Sequence, residues 1–347
     1  MKKTIWLVCL LLFVPAFAAA PQWEPLPIAV SGNAVAGLKI EKKVLLFSFM
    51  GIGQKKTWEA VTNRAFALDT ETGKWTEQKP VPGPAGRIDA TAITARDAVY
   101  LLGGFTLDGQ GGITSVRSME MLLPGRAVWY RGQDMPIALD NTVVGVYRDR
   151  FIYTVGGRSQ GTPVQNVQLY DAERDAWSEA TRLTGNAVFG HAGGIVDDTI
   201  VYIDGAQLNP TEGKPRFVPA TESWIGKIDH KNPAKIQWTK LPPHPGSAHY
   251  QIAAAASDHD HKIYFSGGSE QLYSYSGMTY GGAPAQASEM TFAFNVKSGK
   301  WEVITEKTPN PTLGNRALVL TPRGLVRIGG IEAGQKITAN VTTIARK

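Results

Sequence analysis

The stretch VYLLGG at Val99–Gly104 decides the reading of this sequence, because it recurs. FIYTVGG at Phe151–Gly157, IYFSGG at Ile263–Gly268 and LVRIGG at Leu325–Gly330 repeat the pattern of an apolar strand ending in two glycines. Weaker copies fill the gaps, LFSFMGIG at Leu46–Gly53 and IVYIDGA at Ile200–Ala206, which makes six units. Most units then run through a polar turn into a tryptophan, as in TGKW at Thr72–Trp75, RDAW at Arg174–Trp177 and SGKW at Ser298–Trp301. Gly103 to Gly156 is 53 residues, Gly156 to Asp204-Gly205 about 48, and Gly267 to Gly329 is 62. Short apolar runs separated by Gly, Asn and Asp turns, with no sustained helical period, predict an all-β repeat protein.

These units resemble kelch motifs, whose repeat of about 50 residues forms one four-stranded propeller blade. The resemblance covers essentially the whole chain after its first residues and implies a six-bladed kelch-type β-propeller. A glycine pair lets a strand end approach neighbouring backbone and adopt positive φ. The tryptophan buries a large aromatic area between blades. Unit six stops before any tryptophan, while Trp23 stands near the start without the rest of a blade. The segment around Trp23 is therefore expected to supply the outer strand of the last blade and close the ring, which protects sheet edges.

Ahead of that segment, Lys2-Lys3, the apolar run Ile5–Phe13 and Ala16-Phe17-Ala18 read as a secretory signal peptide over residues 1–18. Residues 19–347 are then a single propeller, periplasmic or secreted, with no membrane anchor after removal of the signal. The one cysteine, Cys9, lies inside the signal, so the mature chain needs no disulfide framework. The formal charge of +6 includes Lys2 and Lys3, and the other basic residues are scattered. No stripe points to nucleic acid. A monomer without cofactor is expected, with a small-molecule sugar or a protein as its ligand.

In the kelch family, one face is built from the loops after each glycine pair and the segments leading into each innermost strand. Residues here that fall in the leading segments include Asn33, Arg87, Asp140, Asn141, His191, His249, Tyr250 and Arg316. Those after the glycine pairs include Lys55, Lys56, Trp58, Arg158, Lys214, Arg216, Tyr275, Tyr280 and Glu332. Asn33, Arg87, Asn141, Tyr250, Arg216, Tyr275, Tyr280 and Arg316 are the candidate ligand-binding set, suited to a polar and especially a carboxylated molecule. The long insertion SEQLYSYSGMTYGGAPAQA at Ser269–Ala287 is either a cover over the mouth or an ordinary packed loop. Asp258-His259-Asp260-His261 has metal-ligand residue types but falls in a strand–strand turn on the opposite face. It is taken as an exposed hydrophilic turn, and no metal site is expected.

Within the kelch proteins, GRIDATAITARDAVYLLGG at Gly86–Gly104 and LGNRALVLTPRGLVRIGG at Leu313–Gly330 are similar to the periplasmic mutarotases that act on N-acetylneuraminate. That resemblance implies acid/base opening of a sugar ring. Arg87, Arg316 or Arg216 would hold the carboxylate, and His191, His249 or Glu332 would move protons. The family's acid/base glutamate follows the fourth unit's glycine, where this chain has Ala206. A non-catalytic binding module is thus the first reading, and a mutarotase the alternative.

Overall fold

Apolar alternation along each unit becomes an antiparallel sheet in the structure, a computed structural model that describes residues 23–40, 43–83, 85–211 and 215–346. The expected signal peptide over residues 1–18, with Cys9, and Lys214 lie outside the described residues. Five four-stranded sheets and one three-stranded sheet follow one another in chain order. Their innermost strands are Ala34–Ile40, Thr91–Ala95, Val143–Tyr147, Ala192–Val196, Ala253–Ser257 and Val319–Thr321. Each packs against the next, and the last returns to the first, so the sheets form the six blades of a closed propeller. Among the described residues no helix is long and apolar enough to cross a membrane.

The inner strands are rich in alanine and glycine because they crowd around one axis. A Cβ on Gly145 would stand 2.3 Å from Ile195 of the neighbouring blade. Larger side chains fill the seams between blades, as where Tyr153, Val155, Ile200 and Tyr202 pack together between blades 3 and 4. The glycine pairs are needed for geometry. Gly103 and Gly104 have φ of 58° and 86°, and a Cβ on Gly103 would fall 2.1 Å from the Leu139 carbonyl oxygen.

The outer tryptophans do more than fill space. The indole N–H of Trp129 donates to the Lys79 carbonyl (3.0 Å), Trp177 to Gln133 (2.8 Å), Trp238 to Thr181 (3.2 Å) and Trp301 to Pro242 (3.2 Å). In every case the acceptor lies in the preceding blade, four residues beyond that blade's own tryptophan. Trp75 of blade 1 continues the series onto Glu24 at 2.9 Å, so the N-terminal segment occupies the place that follows an outer strand of blade 6.

This refines the expected closure. Leu26 N–H bonds to Ala339, Val30 N–H to Thr338, and Gly330 N–H to Val30, sealing the segment against the last blade. Blade 6 nevertheless has three strands among the described residues. Trp23 is not the equivalent of the other tryptophans: its indole donates to Thr70 at 3.2 Å, and its ring lies under the Arg323 guanidinium. Counting back four from Glu24 reaches position 20, outside the described residues, where the chain has an alanine.

Trp177→Phe removes one such bond together with part of the ring area, so it is expected to lower unfolding free energy by at least about 1 kcal/mol. Chemical denaturation checks this against Trp23→Phe measured in parallel. An unchanged midpoint for Trp177→Phe would show that the bond contributes nothing.

Candidate functional site

Three levels stack along the axis. The middle one consists of Gly32, Asp89, Asn141, Gly190, Gln251 and Gly314, one from each blade, with φ of 62°, 53°, 53°, 62°, 50° and 69°. The left-handed conformation turns each N–H toward the preceding blade. Gly32 bonds to the Gly314 carbonyl, Asp89 to Gly32, Asn141 to Asp89, Gly190 to Asn141 and Gln251 to Gly190, at 2.7–3.4 Å. The sixth link is different, because Gly314 N–H donates to the Tyr273 hydroxyl at 3.0 Å. Inside this ring the Asn141 and Gln251 amides each donate to the Asp89 carboxylate at 3.1 Å, and Gln251 also donates to Asn141 at 3.0 Å. The three buried side chains plug the axis. Burial raises the Asp89 carboxyl, partly offset by the nearby Arg316 charge.

The upper level is the loop face. The residue before each left-handed one pairs with the residue after each glycine pair: Ile88 with Phe105, Asp140 with Arg158, Phe189 with Ala206, Tyr250 with Ser269, and Leu313 with Ile331. Most of these are apolar and form one cluster over the axis. Arg158 stands within it, 5.6 Å from the Phe105 ring and 5.3 Å from the Phe189 ring, with Nε donating to Asp140 at 2.9 Å. Desolvation is the largest single influence on Arg158 and lowers its pKa, but the Asp140 charge, with smaller contributions from Tyr250, Asp89 and Tyr280, makes the net shift upward.

Across this face runs the blade 5 insertion. Tyr273 is buried beneath it, Tyr275 packs 6.2 Å from Phe105 of blade 2, and Tyr280 lies 6.4 Å from Phe217 of blade 4. Lys56 of blade 1 anchors it from another side, donating to the Ser276 carbonyl at 2.7 Å and to Gln335 of blade 6 at 3.2 Å. The insertion therefore covers the mouth. On the outer surface, Trp58 of blade 1 and the cover's own Tyr280 are 50% and 52% exposed. Exposed Arg216 stacks over Phe217 at 5.1 Å, on the ring that Tyr280 also approaches.

Of the expected site residues, Arg216, Tyr250, Tyr275 and Tyr280 gather on this face, with Tyr250 buried in its apolar layer. Glu332 is at the rim, accepting from Asn340 at 2.5 Å. The others lie elsewhere. Arg87 is buried in a seam, where it bonds to the Gly103 carbonyl, the Ser118 hydroxyl and Glu120, the last at 2.5 Å. Asn33 is buried at the seam of blades 1 and 6, donating to Ser48 at 2.8 Å and toward Ile328 at 3.4 Å. Asn141 belongs to the axial plug. Arg316 points below the plug, away from the mouth, toward the Thr142 and His191 carbonyls.

Neither histidine reaches the mouth. His191 is fully buried, donates through Nε2 to the Val155 carbonyl at 2.8 Å, and is pushed down to about 3, chiefly by burial. His249 is buried and also lowered by burial. The sequence reading passed over a third, His244. Its Nδ1 faces the Pro245 carbonyl at 2.8 Å and its Nε2 faces both Asp204 oxygens at 2.9 Å. Two acceptors require two ring protons, so His244 is an imidazolium paired with Asp204, and its pKa is raised despite desolvation. Proline on either side hid it in what reads as a loop.

The Asp258–His261 turn is used structurally. Asp258 accepts from the Asp197 N–H at 3.0 Å, and Asp260 bonds to Tyr264 and Arg346 at 2.9 and 2.7 Å. Among the described residues no group of three or more such side chains is placed to hold a metal.

Two predictions follow from the buried charges. Arg87→Met leaves the buried Glu120 carboxylate with only the 3.9 Å approach of Arg131 and is expected to cost about 3 kcal/mol, whereas Arg87→Met with Glu120→Leu costs less than the single change. Equal losses in denaturation would contradict the pairing. The unfolded His191 takes a proton below about 6.5 and the folded one does not until about 3, so its contribution is a loss of stability as pH falls through that window. His244, with a raised value, contributes in the opposite sense, and its stabilisation is lost as pH rises. His191→Gln is expected to remove about 2 kcal/mol of the loss between pH 7.5 and 5. An identical loss in the variant would refute the assignment.

Comparison with known proteins agrees with this architecture. No family model matches the chain. It is similar to Kelch-like protein 34 of Homo sapiens, 26% identical over 163 residues, covering 45% of this chain and 25% of that protein. Kelch-like protein terF of Aspergillus terreus is 24% identical over 220 residues, covering 60% and 46%, and Beta-scruin of Limulus polyphemus is 27% identical over 184 residues, covering 49% and 19%. The chain thus spans less than half the length of these curated relatives. The solved structure of YjhT superposes with a TM-score of 0.69 at 18% identity, over 92% of this chain and 95% of that one. The blades, their glycine pairs, their tryptophan joints and these likenesses together make the chain a six-bladed kelch-repeat β-propeller.

Proposed function

We propose that the protein is an exported, monomeric binding module whose loop face takes an acidic carbohydrate. A kelch propeller is a fold suited to binding a ligand or a protein, and fold alone does not fix which. The observation that carries the reading is the group around Phe217. The exposed Tyr280 ring at 6.4 Å and the exposed Arg216 guanidinium at 5.1 Å both approach the Phe217 ring. An aromatic ring offers a stacking surface for the C–H face of a sugar, and a guanidinium beside it offers bidentate bonding to a carboxylate.

The alternative, mutarotase activity on N-acetylneuraminate, draws its support from the kelch resemblance. It needs a proton donor and acceptor beside that sugar. Ala206 supplies neither, His191 and His249 are sealed in the blade seams, and the Glu332 carboxylate at the rim is engaged by Asn340. Binding without ring opening is therefore the preferred reading.

Saturation-transfer NMR with N-acetylneuraminate, glucuronate and glucose tests it. The two acids are expected to bind more tightly than glucose, and Tyr280→Ala and Arg216→Ala each to weaken them at least about tenfold. No saturable binding of either acid, or binding unchanged in both variants, would refute the proposal. A freshly dissolved anomer followed in the same tube is expected to equilibrate at the buffer rate, and acceleration would favour the mutarotase.

A further inference from the structure

Below the plug the axis opens into a channel of about 290 Å³, at the lower edge of the size of small-ligand sites. Its walls are the alanine- and glycine-rich inner strands, so it is narrow and mostly apolar. It opens on the face of the strand–strand turns, opposite the loop face, because Thr94, Val146 and Asp258 line both the channel and the open basin beyond it.

One cation lies at the closed end. Arg316 leaves blade 6 and crosses the axis to blades 3 and 4, where Nη2 approaches the Thr142 carbonyl at 3.4 Å and the His191 carbonyl at 3.2 Å. Its side chain is 92% buried by residue, lines the channel, and has no partner for Nε or Nη1 among the described residues. Arg87 and Arg158, the other buried arginines near the axis, each have a carboxylate within 3 Å. Arg316 makes no ion pair of this kind. Asp89 feels its charge from within the plug but is already held by two amides. A buried guanidinium served by two long carbonyl contacts is under-satisfied, and an anion entering the channel would supply the missing acceptors.

The open end has the opposite character. Asp149, Asp197, Asp198 and Asp258 line the basin, against Arg148 and His230. Asp198 is paired with Lys227 at 2.7 Å and Asp197 faces His261 at 3.4 Å, yet four carboxylates still outnumber the two fixed cations Arg148 and Lys227, which disfavours a second negative charge at the far end of any ligand.

We propose that this channel is a second ligand site, specific for slender aliphatic monocarboxylates whose carboxylate meets Arg316 and whose far end is neutral or bears an ammonium. The small wall residues set the width, the guanidinium sets the polarity of entry, and the acidic basin rejects dianions. This site is independent of the loop face, and neither depends on the other being occupied.

The test titrates the full mature chain with hexanoate, 6-aminohexanoate, adipate and hexylamine, read by calorimetry and ligand-observed NMR. Hexanoate and 6-aminohexanoate are expected to bind saturably, adipate at least about tenfold more weakly, and hexylamine not at all. Arg316→Gln keeps an amide donor for the two carbonyls and is expected to weaken hexanoate at least about tenfold. Val146→Phe narrows the opening far from Arg316, so it carries the test if the first variant does not fold. It is expected to block hexanoate while leaving sugar binding at the loop face unchanged. Absence of saturable hexanoate binding, adipate binding as tightly as hexanoate, or hexanoate affinity unaltered in the folded variants would overturn the proposal.

Discussion

The ring of left-handed residues around the axis is the constraint on which the rest depends. Each blade must present one residue with φ between 50° and 69° at the same height, so that its N–H can reach the blade before it. This fixes the level at which six inner strands begin, and hence the register of everything outside them. Only three of the six positions are glycine. Asp89, Asn141 and Gln251 adopt the same conformation, and the cost is offset by the bonds their side chains make across the axis. The plug and the ring are one device.

The ring also explains why the fold was legible in the sequence and the site only in part. A glycine pair or a turn-then-tryptophan is forced by backbone geometry, so it recurs wherever a blade does and can be counted. The fate of a side chain near the axis depends instead on its offset from the left-handed residue. Arg87 and His249, two before it, enter seams. Asp140 and Tyr250, one before it, reach the mouth. Asn141 occupies the plug, Asn33 and His191, one after, return to seams, and Arg316, two after, crosses the channel. A sequence shows that a polar residue precedes an inner strand. It does not show where the positive φ falls, and an error of one residue moves a candidate from the mouth layer to a seam or to the plug.

The same geometry sorts the buried arginines into distinct environments. Arg87 and Arg158 are neutralised where they stand and hold blades together. Arg327, almost fully buried, relies on the Pro309 and Asn310 carbonyls, and burial pulls its pKa down to about 10. Arg316 shares that reliance on carbonyls but borders open space. Equal charge thus does different work according to what the blade offset brings beside it.

The tryptophan joints have a consequence for how such a ring can change over evolutionary time. Their acceptors are the main-chain carbonyls of Glu24, Lys79, Gln133, Thr181 and Pro242, five residue types with nothing in common but the peptide group. The joint constrains one partner and leaves the other free to vary. A blade carrying its tryptophan can be duplicated, exchanged or diverged and still find a matching socket in whichever blade precedes it. Sequence identity between such rings can then drift far while their outlines stay superposable.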